Sequence, residues 1–217
     1  MDSYRIPTKS GASEYVDKRS RFLGLVRPVG SEDEARTIIA ACKKQYHDAR
    51  HNCWCYLLRD GTERYSDDGE PQGTAGIPML EVFRRAGVTN VVCVVTRYFG
   101  GVLLGTGGLV RAYQGAVQAG LASSTIIDKK EGIQLTVGTD YTGLGKLQYL
   151  IAQQNLTLID TVYTEKVELQ LMVPAEQQQE VEKEIVEATN GSARISWGEK
   201  VLYALVDKKI EIFEKNT

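Results

Sequence analysis

With 217 residues, 42% of them apolar and 25% charged, the chain has the composition of a globular protein with enough side chains for a sizeable core, which excludes a disordered polypeptide. No run approaches the roughly 20 apolar residues that cross a bilayer. The start Met1-Asp2-Ser3-Tyr4-Arg5 has no apolar stretch of signal-peptide type, so no membrane partner and a cytoplasmic location are expected. The formal net charge of -2 hides an asymmetry: residues 1–130 carry 18 Lys/Arg against 14 Asp/Glu, and residues 131–217 carry 8 against 14. A basic half joined to an acidic half hints at an anionic partner for the first.

In chain order, residues 14–29 read as strand with a turn near Lys18. Ser31-Glu32-Asp33-Glu34 is a capping box, and Ala35, Ile38, Ile39 and Cys42 follow at helical spacing, which predicts a helix over about 32–46. Residues 51–58 read as the next strand, residues 65–74 as turn and loop, and residues 75–86 as a helix despite Pro78. Val91-Val92-Cys93-Val94-Val95 is the continuous β-branched run of a strand covered on both faces, and a long helix is expected over about 107–122.

In the second half, Ile133, Leu135 and Val137 alternate as a strand, and Leu144, Leu147 and Ile151 suit a helix. Residues 156–162 and the set Val167, Leu169, Leu171 and Val173 read as two more strands. Pro174 stands where a first-turn proline is tolerated; Val181, Ile185 and Ala188 mark a second helix closed by Asn190-Gly191, and a last strand lies around 201–206. The order βαββαβ is that of a ferredoxin-like sandwich. The expected fold class is α+β in two domains, 1–130 and 131–217, divided at the charged segment Asp128-Lys129-Lys130.

Five of the 21 glycines, Gly100, Gly101, Gly105, Gly107 and Gly108, fall between the Val91 strand and the following helix. Such a strand-loop-helix turn exposes backbone N–H groups at a positive helix end and can hold a phosphate or carboxylate. Arg97 and Arg111 stand on either side and can add bidentate contacts to an oxyanion. The bland alternative is a tight turn that packs the helix closely on the sheet. Leu109, Ala112, Ala116 and Gly120 line one helix face and Arg111, Gln114 and Gln118 another, so Arg111 is expected to be accessible. Tyr98 and Phe99, read as loop residues, are either core plugs or stacking platforms for bases, with core favoured for Phe99. Two nucleotide motifs are excluded: Thr106 and Gly107 replace the Lys-Ser/Thr pair of a Walker A loop, and Val110 stands where the dinucleotide fingerprint ends in Gly or Ala.

Other constellations are weaker. His47 and His51 have the spacing of a helical zinc pair, but a strand opens at His51, so no metal site is expected. Asp67, Asp68 and Glu70 put three carboxylates in one turn; the alternatives are magnesium binding or positioning of an arginine, and a turn held by Asp side chains on backbone N–H groups. Cys42, Cys53, Cys55 and Cys93 lack paired two-residue spacing and read as thiols.

Ser20-Arg21-Phe22, Asp48-Ala49-Arg50-His51, Asp67-Asp68-Gly69-Glu70-Pro71 with Gly73-Thr74-Ala75-Gly76, and above all Thr96-Arg97-Tyr98-Phe99-Gly100-Gly101 continuing through Gly105 to Tyr113, resemble the YigZ/IMPACT family across nearly the whole chain. The resemblance implies a first domain similar to ribosomal-protein-type folds and domain IV of elongation factor G, and a second similar to that factor's domain V. It also implies a link to translational control, the role of the eukaryotic members. The expected function is a translation-associated regulatory protein that binds RNA or the ribosome through Arg97, Tyr98, the five glycines and Arg111. Two alternatives stay open. One is an enzyme for a small phosphorylated or carboxylated substrate, with His51 as acid or base and Asp67 and Asp68 for metal or proton transfer. The other is an adaptor with a protein partner. No cofactor is expected, and the sequence leaves the oligomeric state open.

Overall fold

A computed structural model describes residues 3–206 and 209–213. They divide into two compact units, Tyr4–Asp128 and the part from Lys129 onward.

In the first unit, β1 (Tyr4–Lys9) precedes a hairpin of β2 (Gly11–Asp17) and β3 (Ser20–Pro28). The turn pairs Asp17 with Ser20, and Lys18 and Arg19 both take positive φ, 42° and 67°. That handedness matches strand twist, although side chains make it costly. Helix α1 (Glu32–Gln45) is capped as expected: Ser31 Oγ accepts the Glu34 N–H, and the Glu34 carboxylate accepts the Gly30 N–H. Then come β4 (His51–Leu57), β5 (Glu63–Ser66), α2 (Gly76–Ala86), β6 (Val91–Tyr98) and α3 (Gly105–Ala122).

The sheet order is β2-β3-β6-β4-β5, with every neighbouring pair antiparallel. Central β6 shows why its apolar run is continuous. Val91, Cys93 and Val95 pack with Phe83 of α2 and Val117 of α3, whereas Val92 and Val94 pack with Ala35 and Ile39 of α1. Helices therefore cover both faces. Three boundaries differ from expectation: Tyr65 and Ser66 belong to β5, β6 runs on through Tyr98, and α3 begins at Gly105. In each case sheet pairing or helix packing extends an element beyond its apolar pattern.

In the second unit, β7 (Thr125–Thr139), which runs through the division, is followed by α4 (Tyr141–Gln153), β8 (Thr157–Tyr163), β9 (Val167–Pro174), α5 (Gln178–Thr189), β10 (Arg194–Val206) and β11 (Lys209–Phe213). The sheet order β11-β10-β7-β9-β8 places the four strands of the βαββαβ unit as a ferredoxin-like sheet and adds β11 at one edge. Leu135, Val137, Leu169 and Leu171 face Leu147 of α4 and Ile185 of α5 in a buried core. Asp128, Lys129 and Lys130 are strand residues of β7. Pro174 ends β9 ahead of a short 3-10 turn, Ala175–Gln177, and so stands outside the first turn of α5. No helix among the described residues is long and apolar enough to cross a membrane.

Candidate anion-binding cleft

On the α2/α3 side of the first sheet, the apolar row of β6 gives way to charge at its C-terminal end. The inward position after Val95 is Arg97, and its direct cross-strand partners are Phe22 on β3 and His51 on β4. Arg97 is only 5% exposed, and a buried cation requires a counter-ion. Glu70, also buried, supplies it, with Oε1 2.6 Å from Arg97 Nη1. The same oxygen accepts the Tyr113 hydroxyl at 2.9 Å. Arg97 Nη2 reaches Ser20 Oγ at 3.5 Å, and that oxygen accepts the Gly100 N–H at 3.2 Å. Arg97 Nε, buried, has no hydrogen-bond acceptor among the described residues. Phe22 and Phe99 flank the guanidinium with ring centres at 5.4 and 5.5 Å. Cys53 Sγ lies 3.0 Å from the Asp67 carbonyl and 3.2 Å from the Tyr113 hydroxyl. Burial above all pushes both the Cys53 thiol and the Tyr113 hydroxyl far up, so each keeps its proton at neutral pH.

The loop before α2 explains how Glu70 comes to point inward. Asp67 accepts the N–H groups of Ala75 and Gly76 on Oδ1 and that of Gly73 on Oδ2, clamping the start of the helix. Asp68 ties the loop to its surroundings, accepting the Asn52 N–H at 2.7 Å and pairing with Lys43 at 2.6 Å. Positive φ at Asp68 (43°) and Gly69 (86°) then reverses the chain. Asp67 and Asp68 are thus engaged in holding the loop, and the carboxylate that lines the cleft is Glu70. His51 Nδ1 lies 2.8 Å from the Asp68 carbonyl oxygen. A carbonyl only accepts, so Nδ1 donates to it, and Nε2 faces Glu70 Oε1 at 3.8 Å.

Arg97 and Tyr98 lie on the strand, not on the loop. Tyr98 stands opposite Arg21, and its hydroxyl donates to Asp48 at 2.9 Å, so it is anchored. Phe99, expected in the core, is 38% exposed, with the Arg50 guanidinium 5.5 Å from its ring centre. A side chain at Gly100 would meet the Arg19 backbone at 2.1 Å; Gly101 and Gly105 hold φ of 82° and 72°, and Gly108 is buried. A methyl group added at Gly107 would lie 3.5 Å from Arg111 Nη1, an ordinary contact. Arg111 is exposed, off the buried face of Leu109, Ala112, Ala116 and Gly120.

Between the loop of Glu70 and the first turn of α3 lies a cleft of about 440 Å³, whose walls include Arg50, His51, Glu70, Arg97, Phe99 and Leu104. Gly105 and Thr106 of the α3 N-terminus form part of the wall, and no side chain caps that helix end. Donors and positive charge at the mouth therefore stand over a floor that holds acceptors. His47 is exposed beyond α1 and shares no helical face with His51. Among the described residues no group of three His, Cys, Asp or Glu side chains is placed to hold a metal ion.

A sheet sandwiched by helices, carrying this cleft and followed by a ferredoxin-like unit, defines a two-domain α+β protein. Residues 18–121 match the Impact N-terminal domain and residues 137–192 match a domain of unknown function, DUF1949. The chain is 37% identical over 201 residues to the IMPACT family member YvyE of Bacillus subtilis, covering 92% of this chain and 93% of that one. It is 33% identical over 199 residues to YigZ of Escherichia coli, covering 90% and 98%. Rat Protein IMPACT is 28% identical over 109 residues, 48% of this chain and 34% of that protein. A crystal structure of an hypothetical protein, 32% identical, superposes with a TM-score of 0.58 over 92% of this chain and 98% of that one. The chain belongs to the IMPACT family.

Proposed function

We propose that this protein is a translation-associated factor that binds RNA through the rim of the glycine loop. One observation carries the reading. Arg19, Arg50 and Arg111 are exposed around that loop, and none of them forms an ion pair among the described residues. Three contacts tie them to it: the Arg19 backbone against Gly100, Arg50 against Phe99, and Arg111 against Gly107. Unpaired cations around exposed backbone suit a phosphate chain, for which counterion release supplies the affinity. The resemblance to elongation-factor domains makes ribosomal RNA the natural partner. An enzymatic role draws support only from the oriented His51 ring, because Asp67 and Asp68 are held by backbone N–H groups and Lys43.

The test is Arg111→Ala. The fold is expected to stay intact, since the side chain lies on the exposed face of α3. RNA or ribosome binding is expected to weaken by about 1–3 kcal/mol, the range for losing a charge-assisted hydrogen bond. The slope of log affinity against log salt should become shallower by roughly one phosphate contact. Unchanged binding at every salt concentration would remove Arg111 from the interface, and a large loss of stability would return the segment to packing alone.

A further inference from the structure

We infer that the cleft takes a single unstacked nucleotide, its phosphate on Arg50 and the uncapped first turn of α3, its base against Phe99; the inference rests on the RNA reading above and names what its cleft receives. The order of polarity across the cleft carries the assignment. At the mouth stand an exposed guanidinium, Arg50, and the first turn of α3, which has no capping side chain and no acidic residue. An anion is favoured there. The floor is different. Glu70 brings a carboxylate already paired with Arg97, and the His51 ring is fixed by the bond of Nδ1 to the Asp68 carbonyl, so the buried guanidinium does not call for a second anion. Within the same wall Arg97, 5% exposed, keeps an Nε–H that has no acceptor among the described residues. A group that satisfies this floor has to be neutral and carry both donors and acceptors on one edge. The Watson–Crick edge of every nucleobase does, and inorganic phosphate, being charged, does not.

The walls agree with a flat, partly apolar body. Phe99, Pro71, Leu104 and Leu109 line the cleft, and its volume of about 440 Å³ falls within the range of small-ligand sites, roughly 300–1,000 Å³. Phe99 is 38% exposed, and the guanidinium groups of the exposed Arg50 and the buried Arg97 lie 5.5 Å from its ring centre. Exposed aromatic rings beside cationic grooves stack bases without regard to sequence.

Nucleoside 5′-monophosphates, the corresponding nucleosides and inorganic phosphate are titrated into the full-length protein, with the His51 ring resonances as readout. The monophosphates are expected to bind saturably and to shift those resonances. Phe99→Ala should weaken them by about fivefold or more, the value of losing one base–aromatic stack, and Phe99→Trp should retain binding. Inorganic phosphate should bind more weakly and leave His51 unmoved. Phosphate competing as well as the nucleotides, or an unaltered affinity in Phe99→Ala, overturns the assignment. Single-stranded RNA is titrated in parallel. Salt-dependent RNA binding with no nucleotide in the cleft overturns the cleft assignment alone, and nucleotide binding with no RNA binding upholds the cleft while removing the RNA reading.

Discussion

The guanidinium of Arg97 occupies a position that Val91, Cys93 and Val95 fill with apolar groups, and Glu70 is what makes its burial tolerable. Glu70→Gln leaves Arg97 buried without a counter-ion and should cost about 3–5 kcal/mol in urea unfolding, whereas Arg97→Met combined with Glu70→Leu should recover most of that loss. An unchanged midpoint for Glu70→Gln would show that the pair is not what holds the cleft. The glycines separate in the same way. Gly100→Ala would press a methyl group to 2.1 Å from the Arg19 backbone and should destabilise by about 1–3 kcal/mol. Gly107 is helical and a methyl group there would make an ordinary contact with Arg111 Nη1 at 3.5 Å, so Gly107→Ala should stabilise by about 0.5–1 kcal/mol. If RNA approaches that turn, the same substitution weakens RNA binding in the more stable protein; tighter or equal binding would mean the backbone there is not approached. Arg111 and His51 were legible in the sequence as accessible or cleft-facing groups. Glu70 was only one of three acids in a turn, because the reversal at Asp68 and Gly69 that points it inward depends on contacts with Asn52 and Lys43 far away in the chain.

Elements announced by local chemistry were legible; those made by distant partners were not. Ser31 and Glu34 fix the start of α1 through bonds spanning a few residues, and Asn190-Gly191 end α5 by adopting φ of 51° and 75°. By contrast β1 carries no strong alternation, and it is held by contacts distant in the chain, among them the Arg5 carbonyl accepting the Thr89 N–H at 2.9 Å and Arg5 Nη1 donating to the Ala86 carbonyl at 2.8 Å. Edge strand β11 likewise owes its state to pairing with β10, from Leu202 with Phe213 to Val206 with Lys209. Helix α4 offers a test of capping. Asp140 accepts the Thr142 hydroxyl and the Gly143 N–H, both at 2.7 Å, and these bonds, Thr142 first, hold its carboxyl below the usual range. A folded-state pKa below the unfolded one gives stability that is fully present above the unfolded value, near 3.8, and is lost as pH falls through the folded value. Asp140→Asn keeps the cap without the titration. The urea midpoint of the wild type should therefore fall relative to Asp140→Asn between neutral pH and pH 3, and parallel midpoints would show that the cap does not titrate.

At the scale of the whole molecule, each core is drawn from one unit: Phe22 through Val117 for the first, Leu135 through Trp197 for the second. Separate cores predict separate opening, and the chain carries its own reporters. Cys42, Cys53, Cys55 and Cys93 all lie buried in the first unit, where burial raises each thiol above its ordinary range. Labelling by a thiol reagent at neutral pH therefore requires the first unit to open. Trp197, packed on the second core with its Nε1 2.9 Å from Glu182, reports the other unit once Trp54 is replaced by Phe. Ile185, 1% exposed, is the place to perturb. Ile185→Ala should cost the second unit about 2–5 kcal/mol and lower the denaturant midpoint of Trp197 fluorescence. If the units open independently, the rate of thiol labelling in native buffer stays that of the parent protein. A labelling rate that rises in step with the lost stability would instead mean that the two cores unfold as one cooperative body, and that β7, running from Thr125 to Thr139 through the division, transmits the loss.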